Sequence, residues 1–254
     1  MGSSPLVVVG RDGPVVTLTL NRPDRHNSLV PELLTELLFA LEAVAADESV
    51  RAVVLAAAGR SFSTGGDVRG FYEQGDDVAE YARETVGRLN EVIVAMLAVP
   101  QPIVAAVHGI VTGGSLGLVL ASDVVLVAPE ASFTPWYNVV GFSPDGGWTA
   151  LLPRVIGRQR AAAALLTNAT IRAEQAVAWG LASELVPTGN VAARAADIAG
   201  VIAGMQPGSV RRTKVRLSSD LAEIAAGLED ERRHFVDQIV TGEAREGMTR
   251  VLGE

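Results

Sequence analysis

The chain contains no cysteine, which removes disulfides, thiolate nucleophiles and zinc–thiolate sites together. Lysine occurs once, at Lys214, so Schiff-base chemistry has a single and unpromising candidate. His26, His108 and His234 stand far apart and form no metal-ligand spacing, and no metal is expected. Positive charge is in deficit: 21 lysines and arginines against 29 acids leave a net charge of −8. No basic face with interleaved aromatics is visible, which argues against nucleic acid as a partner. A small anionic ligand stays open, because a few local arginines serve it whatever the overall charge. No apolar stretch reaches membrane-spanning length without Gly, Pro or charge, and residues 1–10 lack the features of a secretory leader. The expectation is a cytoplasmic protein with no membrane partner.

What is present is ordinary globular material, 254 residues with 48% hydrophobic and 20% charged side chains, enough for one large domain or a domain plus a helical extension. Residues 15–20 alternate as a strand does. Residues 31–46 carry leucines at helical spacing behind Pro31 in the first turn. Strands are predicted at 52–57, 103–107, 124–128 and 132–134, and helices at 78–97 and 115–121. From about Gly146 onward the pattern reads as helices almost throughout, with breaks near Gly157, Thr170, 180–189, Pro207 and Gly242.

Two glycine turns stand out. Ser63-Thr64-Gly65-Gly66-Asp67 follows the apolar run 52–58, and Gly113-Gly114-Ser115 is reached from the run 102–107. Glycine after a buried strand exposes backbone N–H groups, and two such turns can aim two donors at one oxygen, as an oxyanion hole requires. Gly113-Gly114-Ser115-Leu116-Gly117 also fits the nucleophile elbow of serine hydrolases, and Ser115, Asp145 and His234 fall in that order. Against a hydrolase, seven residues separate Val107 from Ser115, where an elbow follows its strand closely.

Asn21-Arg22-Pro23-Asp24-Arg25-His26-Asn27-Ser28-Leu29 resembles the opening motif of the crotonase superfamily, the enoyl-CoA hydratases and isomerases. Ser61-Phe62-Ser63-Thr64-Gly65-Gly66-Asp67-Val68 is similar to its first oxyanion segment, and residues 102–107 with His108-Gly109 and Gly113-Gly114 to its second. Leu152-Pro153-Arg154-Val155-Ile156-Gly157 and residues 173–181 fit as well. The resemblance implies an α/β fold, a crotonase-like spiral of ββα units over residues 1–190 with a C-terminal helical region over 191–254. It implies trimers or pairs of trimers, and an acyl-CoA thioester as substrate with no further cofactor. It puts the thioester oxygen on the N–H groups of Gly66 and Gly114, with Ser63, Gly65, Asp67 and Val68 around them and Asp67 fixing its turn. Gly114 is expected at a helix start.

The chain departs from the hydratase pattern at both carboxylates. The positions of the two water-activating glutamates are Gly117 and Tyr137, and neither glycine nor an ordinary tyrosine serves as a base at neutral pH. Pro144-Asp145-Gly146-Gly147-Trp148 resembles a variant of some family isomerases in which the aspartate shuttles the proton. Asp145 therefore has two readings, proton shuttle and helix N-cap. Trp136 and Tyr137 are expected as walls of an acyl pocket. Arg25 and, no better, His26 border the CoA nucleotide by resemblance, the other reading being a solvated surface. His108 is expected as a buried structural histidine, and Phe235 with Arg232-Arg233 lies on a late helix that by resemblance can cover the CoA site, the other reading being a packing face. The predicted activity is a Δ3-to-Δ2 enoyl-CoA isomerisation through a thioester enolate. Hydration, other enolate chemistry such as ring formation or carbon–carbon cleavage, and a non-catalytic acyl-CoA binder are the alternatives.

Overall fold

Residues 4–218 and 220–254 are described by the structure, a computed structural model. The first three residues of the stretch read for a leader lie outside them. An antiparallel pair, β1 (Val7–Asp12) and β2 (Val15–Leu20), opens the main sheet. It continues with β3 (Ala52–Ala57) and β4 (Ile103–Val107). The chain then forms β5 (Ile110–Thr112), β6 (Val124–Val127), β7 (Ser132–Thr134), β8 (Ile171–Arg172) and β9 (Glu184–Leu185). Six strands make the main sheet in the order β1-β2-β3-β4-β6-β9, parallel from β2 onward. A second sheet of three strands runs β5-β7-β8. This is the mixed α/β spiral with a helical C-terminal region that the resemblance implied.

The central strands are apolar at every position because both faces are covered. Val53, Leu55, Ile103, Ala105 and Val107 point into the main core with helices Pro31–Ala46 and Val78–Ala98. Ala52, Val54, Val104 and Ala106 point the other way, onto Val191, Ala195 and Ala199 of helix Val191–Ala203. Leu33, Leu34 and Leu37 are fully buried, each burial worth about 1.5–3 kcal/mol. Helix Leu221–Ile239 lies along helix Val78–Ala98 and brings the C-terminal region to the site.

Strands β1, β5, β8 and β9 go beyond the sequence expectation. β1 is an edge strand with only Val7 buried, so it shows no alternation. β8 and β9 are two residues each, too short for a period, and they interrupt the region read as helices. Lys214 is a tether and no imine former: it is buried and donates to the Met96 and Gln101 carbonyls and to Asp123 at 2.8–3.1 Å. Burial pushes its pKa down, while the Asp123 carboxylate favours the cation.

Candidate active site

The two glycine turns are zipped together. The Ser63 N–H donates to the Ile110 carbonyl at 3.1 Å and the Thr112 N–H to the Ser63 carbonyl at 3.2 Å. Gly65 sits at φ +73°, and a Cβ there would lie 2.5 Å from the Thr112 oxygen, so only glycine lets the turns meet. Neither the Gly66 nor the Gly114 N–H has a hydrogen-bond partner in turns, loops or side chains among the described residues. Both glycines line one cavity of about 60 Å³. Unspent backbone donors facing a shared apolar space are what an oxyanion hole needs. Gly114 lies in a single 3-10 turn, Gly113–Ser115, that runs directly into the short helix Leu116–Leu120, so it stands at a helix start as expected.

Asp145 lines the same cavity and is only 6% exposed. A Cβ placed on Gly114 would stand 3.0 Å from both of its carboxylate oxygens, so the carboxylate lies directly against the second turn. The Tyr137 hydroxyl donates to Asp145 Oδ1 at 2.6 Å and approaches the Asp145 backbone carbonyl at 3.0 Å. Burial raises the Asp145 pKa to about 7; the Tyr137 hydrogen bond opposes this and the nearby Glu231 charge adds to it. Burial first, and then the Asp145 charge, pushes the Tyr137 phenol well above its ordinary value, so it stays a neutral donor. An acid that titrates near neutrality beside two free N–H groups can take and return a proton.

The cap reading of Asp145 does not hold: its carboxylate accepts from Tyr137, and the next helix begins only at Leu152–Ile156. The Gly117 position is filled rather than vacant. A Cβ there would run into Ile93 Cδ1 and come within 2.7 Å of the Gly146 carbonyl, which leaves no space for a carboxylate. Tyr137 is more than the wall it was expected to be, since its hydroxyl is the hydrogen-bond partner of Asp145. Trp136 does line the cavity, at its mouth, with 43% of its surface exposed.

Of the other predicted positions, Val68 lines the cavity, whereas Arg25, His26, Ser63, Gly65 and Asp67 do not. Ser63 is buried and donates to the Asn27 carbonyl at 2.7 Å. Asp67 accepts from Gly70 N–H at the start of helix Val68–Glu73 and pairs with Arg22 at 2.9 Å and Arg25 at 3.1 Å. Burial raises its pKa, but Arg22, the Gly70 N–H and Arg25 outweigh that and leave it below the ordinary value. His26 stacks its polar atoms between Ser61 Oγ at 3.1 Å and Arg60 at 3.0 Å. His108 is half-buried rather than buried, and its Nε2 lies 2.9 Å from the Gly59 carbonyl.

The serine-hydrolase arrangement is absent. Ser115 Oγ is buried and donates to the Thr112 and Ser63 carbonyls at 2.7 and 3.0 Å, with no histidine among its partners. His234 is exposed and meets its own helix at the Asp230 carbonyl.

Two contributors went unread in the sequence. Asn27 is fully buried, and its amide donates to the Ala58 and Ser61 carbonyls at 2.8 and 2.9 Å, fixing the opening motif to the first glycine turn. Glu231 is buried on helix Leu221–Ile239 beside the Asp145 segment. Its signal was available: Ile224, Leu228, Phe235 and Ile239 form a buried stripe, and Glu231 occupies the stripe position between them.

The profile of the enoyl-CoA hydratase/isomerase family matches residues 10–252. The 1,2-epoxyphenylacetyl-CoA isomerase of Escherichia coli is 37% identical over 186 residues, 73% of this chain and 71% of that protein. A crystal structure of an enoyl-CoA hydratase/isomerase from Mycobacterium paratuberculosis superposes with a TM-score of 0.90 at 30% identity, covering 97% of this chain and 98% of that one. An enoyl-CoA hydratase from Mycobacterium avium subsp. paratuberculosis gives 0.88 at 28% identity, over 98% and 100%.

Proposed function

The chain belongs to the enoyl-CoA hydratase/isomerase family, whose members act on acyl-CoA thioesters, and within it we propose a Δ3-to-Δ2 enoyl-CoA isomerase. The observation that carries this reading is the buried Asp145 carboxylate, lodged against Gly114 with no second free carboxylate on the cavity wall among the described residues. The thioester oxygen accepts from the Gly66 and Gly114 N–H groups. Asp145 removes a proton from the α-carbon, and the electron pair of that C–H bond delocalises onto the thioester oxygen as an enolate. Asp145 then returns the proton to the γ-carbon, and the double bond moves into conjugation. One base suffices because the same proton leaves and comes back. Removing one oxyanion donor typically costs about 2.7–4 kcal/mol of transition-state stabilisation, so the glycine pair carries much of the rate.

Tyr137 holds Oδ1, which leaves Oδ2 for the substrate proton. Hydration calls for a placed and activated water, and the Gly117 position is packed shut by Ile93 and the Gly146 carbonyl. The reading is tested by turnover of 3-enoyl-CoA and crotonyl-CoA side by side. Conversion of the 3-enoyl substrate with little hydration of crotonyl-CoA is expected. Fast hydration with the 3-enoyl substrate untouched refutes the assignment.

A further inference from the structure

Glu231 is a carboxylate at a core position, 5% exposed, with every hydrogen bond it makes directed at one loop. Its Oε2 accepts from the Gly147 N–H at 2.7 Å. Its Oε1 accepts from the Thr149 N–H at 2.7 Å, the Thr149 hydroxyl at 2.6 Å and the Ala150 N–H at 2.9 Å. That loop begins at Asp145. Gly146 and Gly147, at φ +61° and +85°, turn the chain there. A Cβ on Gly146 would lie 2.5 Å from the Gly114 Cα, so the loop is pressed onto the oxyanion turn. A buried carboxylate costs several kcal/mol unless satisfied, and a neutral side chain would not gather three N–H donors and a hydroxyl in this way.

We propose that Glu231 is a positioning residue for Asp145: its hydrogen bonds to Gly147, Thr149 and Ala150 hold the loop that sets the Asp145 carboxylate against Gly114, with a second carboxylate beside it. The proposal rests on the isomerase reading for its catalytic consequence. The groups facing Asp145 are the Tyr137 hydroxyl, which favours the anion, and Glu231, which disfavours it. Those facing Glu231 are the loop N–H groups, the Thr149 hydroxyl and Asp145. Phe235, one helical turn after Glu231, lines the cavity, so a single helix both walls the site and holds its acid.

The test is titration of the Asp145 carboxyl by carbon-13 NMR in protein carrying labelled aspartate, with the signal assigned from Asp145→Asn. In Glu231→Gln the midpoint falls by about 0.5 unit or more, because a like charge has gone. Exchange of the α-proton of bound acyl-CoA into deuterated water slows as the loop loosens. Asp230→Asn removes the same charge from the exposed side of the helix and leaves both readouts as in the wild type. Thr149→Val keeps the charge but frees the loop from one of the Glu231 hydrogen bonds; it slows the exchange by less than Glu231→Gln and serves if Glu231→Gln does not fold. A wild-type midpoint in folded Glu231→Gln, or wild-type exchange in Thr149→Val where that variant must serve, overturns the proposal. The titration needs no substrate, so a protein that exchanges no acyl-CoA proton but still shows the shift refutes the isomerase reading and supports the placement of Glu231.

Discussion

The Tyr137 hydroxyl and the Asp145 carboxylate stand 2.6 Å apart inside the cavity wall, and both are buried. A phenol that cannot readily ionise is paired with a carboxyl that titrates at about 7, so the shared proton belongs to Tyr137 and the free oxygen of Asp145 is left to the substrate. Tyr137→Phe removes a donor that stabilises the anion. The Asp145 midpoint then rises, and the rise of kcat/KM with pH moves upward by about one unit or more, given about 1.5–3 kcal/mol for a hydrogen bond to a charged group. A pH–rate profile of the variant checks this; an unmoved limb means the hydroxyl does not govern Asp145.

The same shift makes a stability prediction. Asp145 holds its proton more tightly folded, with a pKa of about 7, than unfolded, where 3.8 applies. Between those values the folded state binds the extra proton, so the contribution of Asp145 to stability is largest below about pH 4 and is lost as the pH rises through 7. Three units correspond to about 4 kcal/mol. Asp145→Asn lacks that slope, and its denaturation midpoint relative to wild type improves between pH 5 and pH 8. Parallel urea titrations at the two pH values give the comparison.

Gly117→Glu, which restores the family's glutamate in sequence, does not restore hydration. Its Cβ would collide with Ile93 and lie 2.7 Å from the Gly146 carbonyl, so the loop bearing Asp145 is displaced. The expected outcome is loss of isomerisation, no gain in crotonyl-CoA hydration, and a stability loss of about 1–3 kcal/mol from overpacking. Chemical denaturation and the two turnover assays measure all three.

An aromatic wall bounds the cavity. Phe71, Phe142 and Phe235 meet with ring centroids 5.2–5.9 Å apart on one side of a cavity of about 60 Å³. Phe142 is half-buried, and Phe142→Ala opens the wall. The ratio of kcat/KM for eight-carbon over four-carbon enoyl-CoA is expected to rise about tenfold, on the order of one or two buried methylenes. An unchanged ratio places the acyl chain elsewhere.

The parts of the site that are local in sequence were legible, and the parts assembled by packing were not. The two glycine turns and Asp145 announce themselves through residue type and position after an apolar run. The central strands were legible because 52–57 and 103–107 are apolar at every position. Edge strand β1 carries no such pattern, since five of its six residues are exposed. Glu231 sits in Glu229-Asp230-Glu231-Arg232-Arg233, which reads locally as a solvated charged face; only its place in the helical stripe of Ile224, Leu228, Phe235 and Ile239 separates it from its neighbours. Tyr137 looked like a lost glutamate, and its use depends on a fold-level contact with a residue eight positions on. Ser115, by contrast, fitted a motif whose chemistry requires an exposed hydroxyl, and the fold buries it.

The most direct test of the central claim is deuterium exchange at the α-carbon of a bound acyl-CoA, compared between wild type and Asp145→Asn at pH 7.5. The account predicts exchange in the wild type and a loss of 10²-fold or more, on the order of a general-base contribution, in the variant with acyl-CoA affinity retained. Exchange that survives Asp145→Asn undiminished would contradict the assignment of Asp145 as the base.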